Sequence, residues 1–217
     1  MNEIEKIDQT RVFVKEILSE AEKGHDWSHT ERVYNNALLI SEGEDVNSFV
    51  VQLAALLHDI ADSKFHNGNE EIGPLKARGF LQSISVEKEI VSHVENIIRY
   101  MSFKNSLEDQ SEAFSSPELD VVRDADRLDA IGAIGIARTF HYGGYKNRSM
   151  YDPEIPPQVD QSKEAYKKSD APTINHFYEK LLLLKDMMHT ATAKKIAEER
   201  HDFMLKFLEQ FYKEWNG

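Results

Sequence analysis

Residues 50–59, VVQLAALLHD, run apolar for the length of a short helix and then present His58 and Asp59 with no turn residue before them. Burying an imidazole and a carboxylate in an apolar element costs several kcal/mol unless each finds a partner. Whatever this chain folds into must therefore bring other polar side chains to the end of that helix.

The rest of the sequence supplies helices. A first helix is expected to run to about Ala21 and stop near Gly24. Residues 28–31, SHTE, have the S-x-x-E form of a capping box, with Ser28 as N-cap and Glu31 reciprocating. The helix they open carries Val33, Ala37 and Ile40 and is ended by Gly43. A third helix starts near Asn47 and carries the opening stretch, and DSKFHNGN (62–69) reads as a loop. A helix over about 70–82 is broken or ended around Gly79, and SVEKEIVSHVENIIRYM (85–101) is strongly periodic. Pro117 after Ser116 makes a good helix start, leading into DADRLDAIGAIGIARTFH (124–141), helical in character despite two glycines. The polar segment 142–172, with Gly143-Gly144 and a proline cluster, reads as a flap or long loop, with the glycine pair as its hinge. Helices over about 173–187 and 190–213 finish the chain. No stretch shows strand alternation, and neither a repeat nor a linker divides the sequence. The expected fold is all-α, one domain over residues 1–217.

Charge and composition narrow the function. A formal net charge of -12 with no basic stripe excludes a grip on a long nucleic-acid backbone, but leaves room for a small phosphorylated ligand. Without cysteine, any metal must sit on histidine and carboxylate. There is no apolar leader behind a basic start and no run near the roughly 20 residues that span a bilayer, so a soluble, cytoplasmic chain is expected, with no membrane partner. Both a monomer and a homodimer are compatible with the sequence.

Helical spacing sorts the polar residues into inward and outward ones. His29 lies one turn before Val33 on an apolar stripe, His58 shares a face with Val51, Ala54 and Ala55, and His93 sits between Ile90 and Ile97. In ELDVVRDADRLDA (118–130), Asp120 and Asp124 with Arg123 and Arg127 read as a solvated, ion-paired face. The apolar stripe is Leu119, Val122, Asp126, Asp129 and Ala133, which turns Asp126 and Asp129 inward and Asp124 outward. His29, His58 with Asp59, His93 and Asp126 thus point inward from four helices. Their composition is that of a divalent-metal site, which would resolve the burial cost of each. The alternative is a set of unrelated buried hydrogen bonds.

The order His29 … His58-Asp59 … Asp126 resembles the signature of the HD-domain metal-dependent phosphohydrolases. GHDWSHTERV, HDIADSKFH, DADRLDAIGAIGIART and HFYEKLLLLKDMMHT look like a small bacterial subfamily of stand-alone HD proteins associated with nucleoside triphosphate pyrophosphohydrolase activity. The resemblance implies the all-α HD fold and His29, His58, Asp59 and Asp126 as ligands of one divalent ion. Manganese is favoured; magnesium, iron(II), nickel and cobalt are admissible. It implies that Asp62 works near the attacking water, although the usual residue there is glutamate. His93 would donate to a phosphate oxygen, and Lys64 is the cation best placed at the mouth. His66, Arg127, Arg138, Lys180 and Lys185 are further candidates for substrate contact, each equally explained by an ion pair, and Tyr142 could stack on a base. IGAIGIA lacks the context of a phosphate loop; small residues there would let two helices approach closely. The expected reaction converts a nucleoside triphosphate to its monophosphate and pyrophosphate. The alternatives are a nucleotide phosphomonoesterase, a phosphodiesterase or alarmone hydrolase, a nucleotide-sensing module without catalysis, and a di-iron oxygen-activating protein.

Overall fold

The apolar run forms α3 (Ser48–Leu57), and all its residues from Phe49 to Leu57 except Gln52 are buried. A helix apolar on all sides belongs at the centre of its neighbours, and α3 packs on α1 (Glu3–Ile17), α2 (Trp27–Ser41) and α5 (Lys88–Met101). A computed structural model describes residues 1–20, 26–61, 69–101, 114–159 and 170–217, and among these all regular structure is helical. The chain divides into two compact units, Met1–Asp126 and Arg127–Gly217. The boundary falls inside the last turn of α6 (Pro117–Asp129).

In the first unit, α4 (Ile72–Ser83) packs on α5. Asn47 caps α3, its side-chain oxygen accepting from the Phe49 and Val50 amides at 3.1 and 3.2 Å. Ser116 caps α6 ahead of Pro117, accepting from the Leu119 amide at 3.1 Å. A capping box does occur, at α1, between Asn2 and Glu5. The one expected at Ser28 does not. α2 starts at Trp27 with Asp26 as N-cap, whose carboxylate accepts from the His29 amide at 3.1 Å. An aspartate caps as well as a serine, and here it stands two residues earlier. α4 also continues through Gly79, whose missing side chain faces open space.

In the second unit, α7 (Gly132–Tyr145) packs on the long α9 (Ala191–Asn216). The helical character expected across 124–141 breaks between Asp129 and Gly132, where Ala130 and Ile131 close tight turns onto Arg127 and Leu128. Gly132 sits at φ 75°, a left-handed conformation that favours glycine. A Cβ there would meet the Arg200 stem at 3.0 Å, so this glycine does allow α7 and α9 to approach. Gly143-Gly144 is not a hinge: both lie within α7, and a Cβ on Gly143 would collide with Thr173 Oγ1 at 2.2 Å. The loop therefore begins about one turn later than expected, after Asn147 ends the helix at φ 54°. The expected 173–187 helix is two pieces, α8 (Asn175–Glu179) and a 3-10 turn (Leu181–Met187), and Thr190 caps α9. Among the described residues no helix is long and apolar enough to cross a membrane.

Candidate metal centre

Two helices of the first unit deliver histidines by their ends. α2 presents His29 in its first turn, held by the Asp26 cap and almost fully buried. α3 presents His58 as its C-cap residue, directly after the apolar run. The His58 ring is oriented by its own helix, with Nδ1 2.9 Å from the Ala55 carbonyl oxygen. A carbonyl only accepts, so Nδ1 carries the proton and Nε2 keeps its lone pair.

That lone pair points at another ring. His58 Nε2 lies 3.4 Å from His29 Nε2, and the rings meet edge-on with centroids 5.4 Å apart. Asp126, on α6, places Oδ1 3.5 Å from the same His29 nitrogen. One donor atom from each of His29, His58 and Asp126 lies within 4.8 Å of the others. Two ligands about 2.1 Å from a shared ion stand about 3.0–3.4 Å apart at ordinary coordination angles. The two close contacts are near that separation. Imidazole and carboxylate suit a borderline divalent cation, and His58 has the second hydrogen bond typical of a metal-bound histidine. The donor set fits a divalent ion. Asp126 leaves one side of the group open, its side chain being 44% exposed against 5% for His29. Asp59 stands in the turn directly after His58, half-buried, and is not one of the three that converge.

Asp124 and Asp126 contradict their expected phase. Asp124 is fully buried rather than solvated, Asp129 is buried as expected, and Asp126 is only half-buried. The buried apolar residues of α6 are Leu119 and Val122, as expected, with Val121, Ala125 and Leu128. Asp124 therefore faces inward beside Val121, and Asp126 comes to the edge of the stripe.

One ring nitrogen of His93, expected to face phosphate, is engaged by protein groups instead. Its Nε2 lies 3.0 Å from Ser116 Oγ and 3.4 Å from Glu118 Oε2, so the side chain ties α5 to the start of α6. Two of the expected substrate cations are likewise engaged within the second unit. Arg127 Nη1 donates to the Met187 carbonyl at 2.6 Å, and Arg138 pairs with buried Asp129. Lys180 is exposed and Lys185 half-buried there. Tyr142 is half exposed beside Tyr145, with the Lys146 ammonium 5.7 Å and the Arg148 guanidinium 5.8 Å from its ring centre. Asp62, Lys64 and His66 lie outside the described residues.

The sequence reading passed over His176. Burial, reinforced by the charges of Lys180 and Arg148, pushes its pKa down to about 4. It also passed over Asp26, although an aspartate three residues before an inward histidine is a legible cap signal.

Three comparisons with known proteins bear on this geometry. The HD-domain family model matches residues 26–131, a segment containing His29, His58, Asp59 and Asp126. Uncharacterized protein YpgQ of Bacillus subtilis is 40% identical over 217 residues, covering 100% of this chain and 97% of that protein. Among solved structures, an HD-superfamily hydrolase from Bacillus thuringiensis is similar at a TM-score of 0.80 and 48% identity, covering 100% of both chains. Bacillus subtilis YpgQ in complex with ADP is similar at a TM-score of 0.77 and 37% identity, covering 99% of this chain and 97% of that one.

Proposed function

The chain belongs to the HD-domain family of metal-dependent phosphohydrolases, and from that premise we propose that it hydrolyses a nucleoside triphosphate to the monophosphate and pyrophosphate. The observation that carries this reading is the meeting of His29, His58 and Asp126 around one point. The ADP bound by Bacillus subtilis YpgQ supports a nucleotide as the ligand.

His29, His58 and Asp126 would hold the ion, with Asp59 as the fourth ligand and manganese as the favoured metal. When bound, a divalent ion supplies a Lewis acid at phosphorus and acidifies water. His58 stays in the binding tautomer because its Nδ1 proton is committed to Ala55 O. Asp126 sets negative charge against the cation at the open side of the group. Asp62 accepts the proton of the attacking water, and Lys64 offsets charge on the phosphate oxygens. Water adds at the α-phosphorus, the bond to the bridging oxygen breaks, and pyrophosphate leaves with that oxygen. This scheme draws on none of Arg127, Arg138 and His93, each of which bonds a protein group through one of its nitrogens.

The test is a panel of nucleoside mono-, di- and triphosphates, ribose and deoxyribose, incubated with the purified chain and Mn2+. Pyrophosphate is expected as the first product from triphosphates. Orthophosphate alone would replace this reading with phosphomonoester hydrolysis. No turnover of any nucleotide would contradict it.

A further inference from the structure

We propose that Asn36 is a positioning residue for the metal centre, holding the backbone of α6 one residue before Asp126 and so setting the reach of that carboxylate to the histidines. The proposal rests on the metal-centre reading above. Asn36 lies seven residues after His29 on α2, two helical turns along the same face. The other residues of that face, Val33, Ala37 and Ile40, are fully buried and apolar. Asn36 is itself only 9% exposed, and its amide nitrogen donates to the Ala125 carbonyl at 3.2 Å. A leucine would fill much the same space with no polar group to satisfy. Burying an amide there adds little net stability, since its hydrogen bond mainly offsets its own desolvation. What the amide adds is a direction: it donates to one carbonyl at one height along α6.

That height matters because Ala125 is adjacent to Asp126. α2 carries His29 and α6 carries Asp126, so the Asn36 bond spans the same two helices as the 3.5 Å contact between them. Sliding α6 by one residue would move Asp126 about 1.5 Å along its axis. A shift of that size is enough to lose a ligand held at about 2 Å. α6 is held at other points as well: Arg123 Nη2 donates to the Tyr100 carbonyl at 2.5 Å, and a further tie lies at the helix start. At its start, Glu118 Oε1 accepts from the Asn47 amide at 2.9 Å and Oε2 faces His93, two turns before Asp126. Those ties hold α6 through its own side chains, while the Asn36 bond is made to the backbone next to the ligand.

The experiment is calorimetric titration of the metal-free chain with Mn2+, well below the unfolding temperature, paired with thermal unfolding without metal. Asn36→Leu should fold and weaken Mn2+ binding about 10–100-fold, the usual cost of removing a supporting partner from a metal site. Glu118→Gln should lower the melting temperature and leave Mn2+ affinity within about twofold of wild type. If Asn36→Leu does not fold, Asn36→Ser carries the test, because its shorter side chain cannot reach Ala125. Equal Mn2+ affinity in wild type and folded Asn36 variants would overturn the positioning role and leave the metal centre standing. Equal weakening by Glu118→Gln would overturn it too, by showing that any loosening of α6 suffices. No Mn2+ binding by wild type would overturn the metal reading itself, and the positioning role with it.

Discussion

At the scale of single residues, the chemistry depends on which nitrogen carries a proton and which carboxylate meets it. His58 shows this most clearly. Its position as C-cap puts Nδ1 over the Ala55 carbonyl, and helix geometry alone then selects the tautomer that exposes Nε2. Asp126 and Asp124 show how spacing misleads. A stripe drawn through Leu119, Val122 and Asp126 is only a turn's fraction away from the real one, yet that fraction reverses the burial of Asp124. Inward direction and membership of the site are different properties: Asp124 is fully buried and is not one of the three that converge, whereas Asp126 is half-buried and is. His176 makes a residue-scale prediction about pH. Its folded pKa is pushed below the ordinary 6.5 to about 4 by burial, then by Lys180 and Arg148. Between those values the unfolded chain takes up a proton that the folded chain does not. Stability should therefore be full above about pH 7, fall as the pH drops from 6.5 towards 4, and level off below. Urea unfolding at three pH values across that window should show a flatter decline for His176→Gln than for wild type. Parallel declines would mean that His176 titrates alike in both states.

At the scale of elements, helix ends do most of the positioning. The Asp26 cap serves α2 and fixes the backbone of His29 in one bond. Asp26→Ala should cost about 1 kcal/mol of stability, the usual loss for an N-cap, while Ser28→Ala, inside the first turn, should cost almost nothing. Urea midpoints of the two variants check this, and a larger loss at Ser28 would restore the S-x-x-E box. Most elements were legible in the sequence because apolar periodicity and caps are local signals: Asn47, Ser116 with Pro117, and the stripe of α5 all mark real helix features. What was not legible depended on distant contacts. Gly143 reads as a hinge until Thr173 is seen against it, and Gly132 reads as helical until its positive φ and the Arg200 stem are known. The split after Glu179 likewise has no breaker residue to announce it.

At the scale of the whole molecule, the central claim concerns residues far apart in the chain. His29, His58 and Asp126 come together from distant parts of the sequence, and the order His29 … His58-Asp59 … Asp126 was the signal that marked them, whereas the supports around them left no such mark. Asn36, Glu118 and His93 act through bonds across 23 to 89 positions in sequence, and no local pattern encodes those. The family relationship explains why that order is informative: His29, His58 and Asp126 come from α2, α3 and α6, and packing alone brings them together. The most direct test is the metal retained after Mn2+ loading and desalting, measured by elemental analysis on wild type, Asp126→Asn and Asp124→Asn. About one ion per chain is predicted for wild type, none for Asp126→Asn, and an unchanged ion content with a lowered melting temperature for Asp124→Asn. Equal retention by wild type and Asp126→Asn, or loss of the ion from Asp124→Asn alone, would contradict the account.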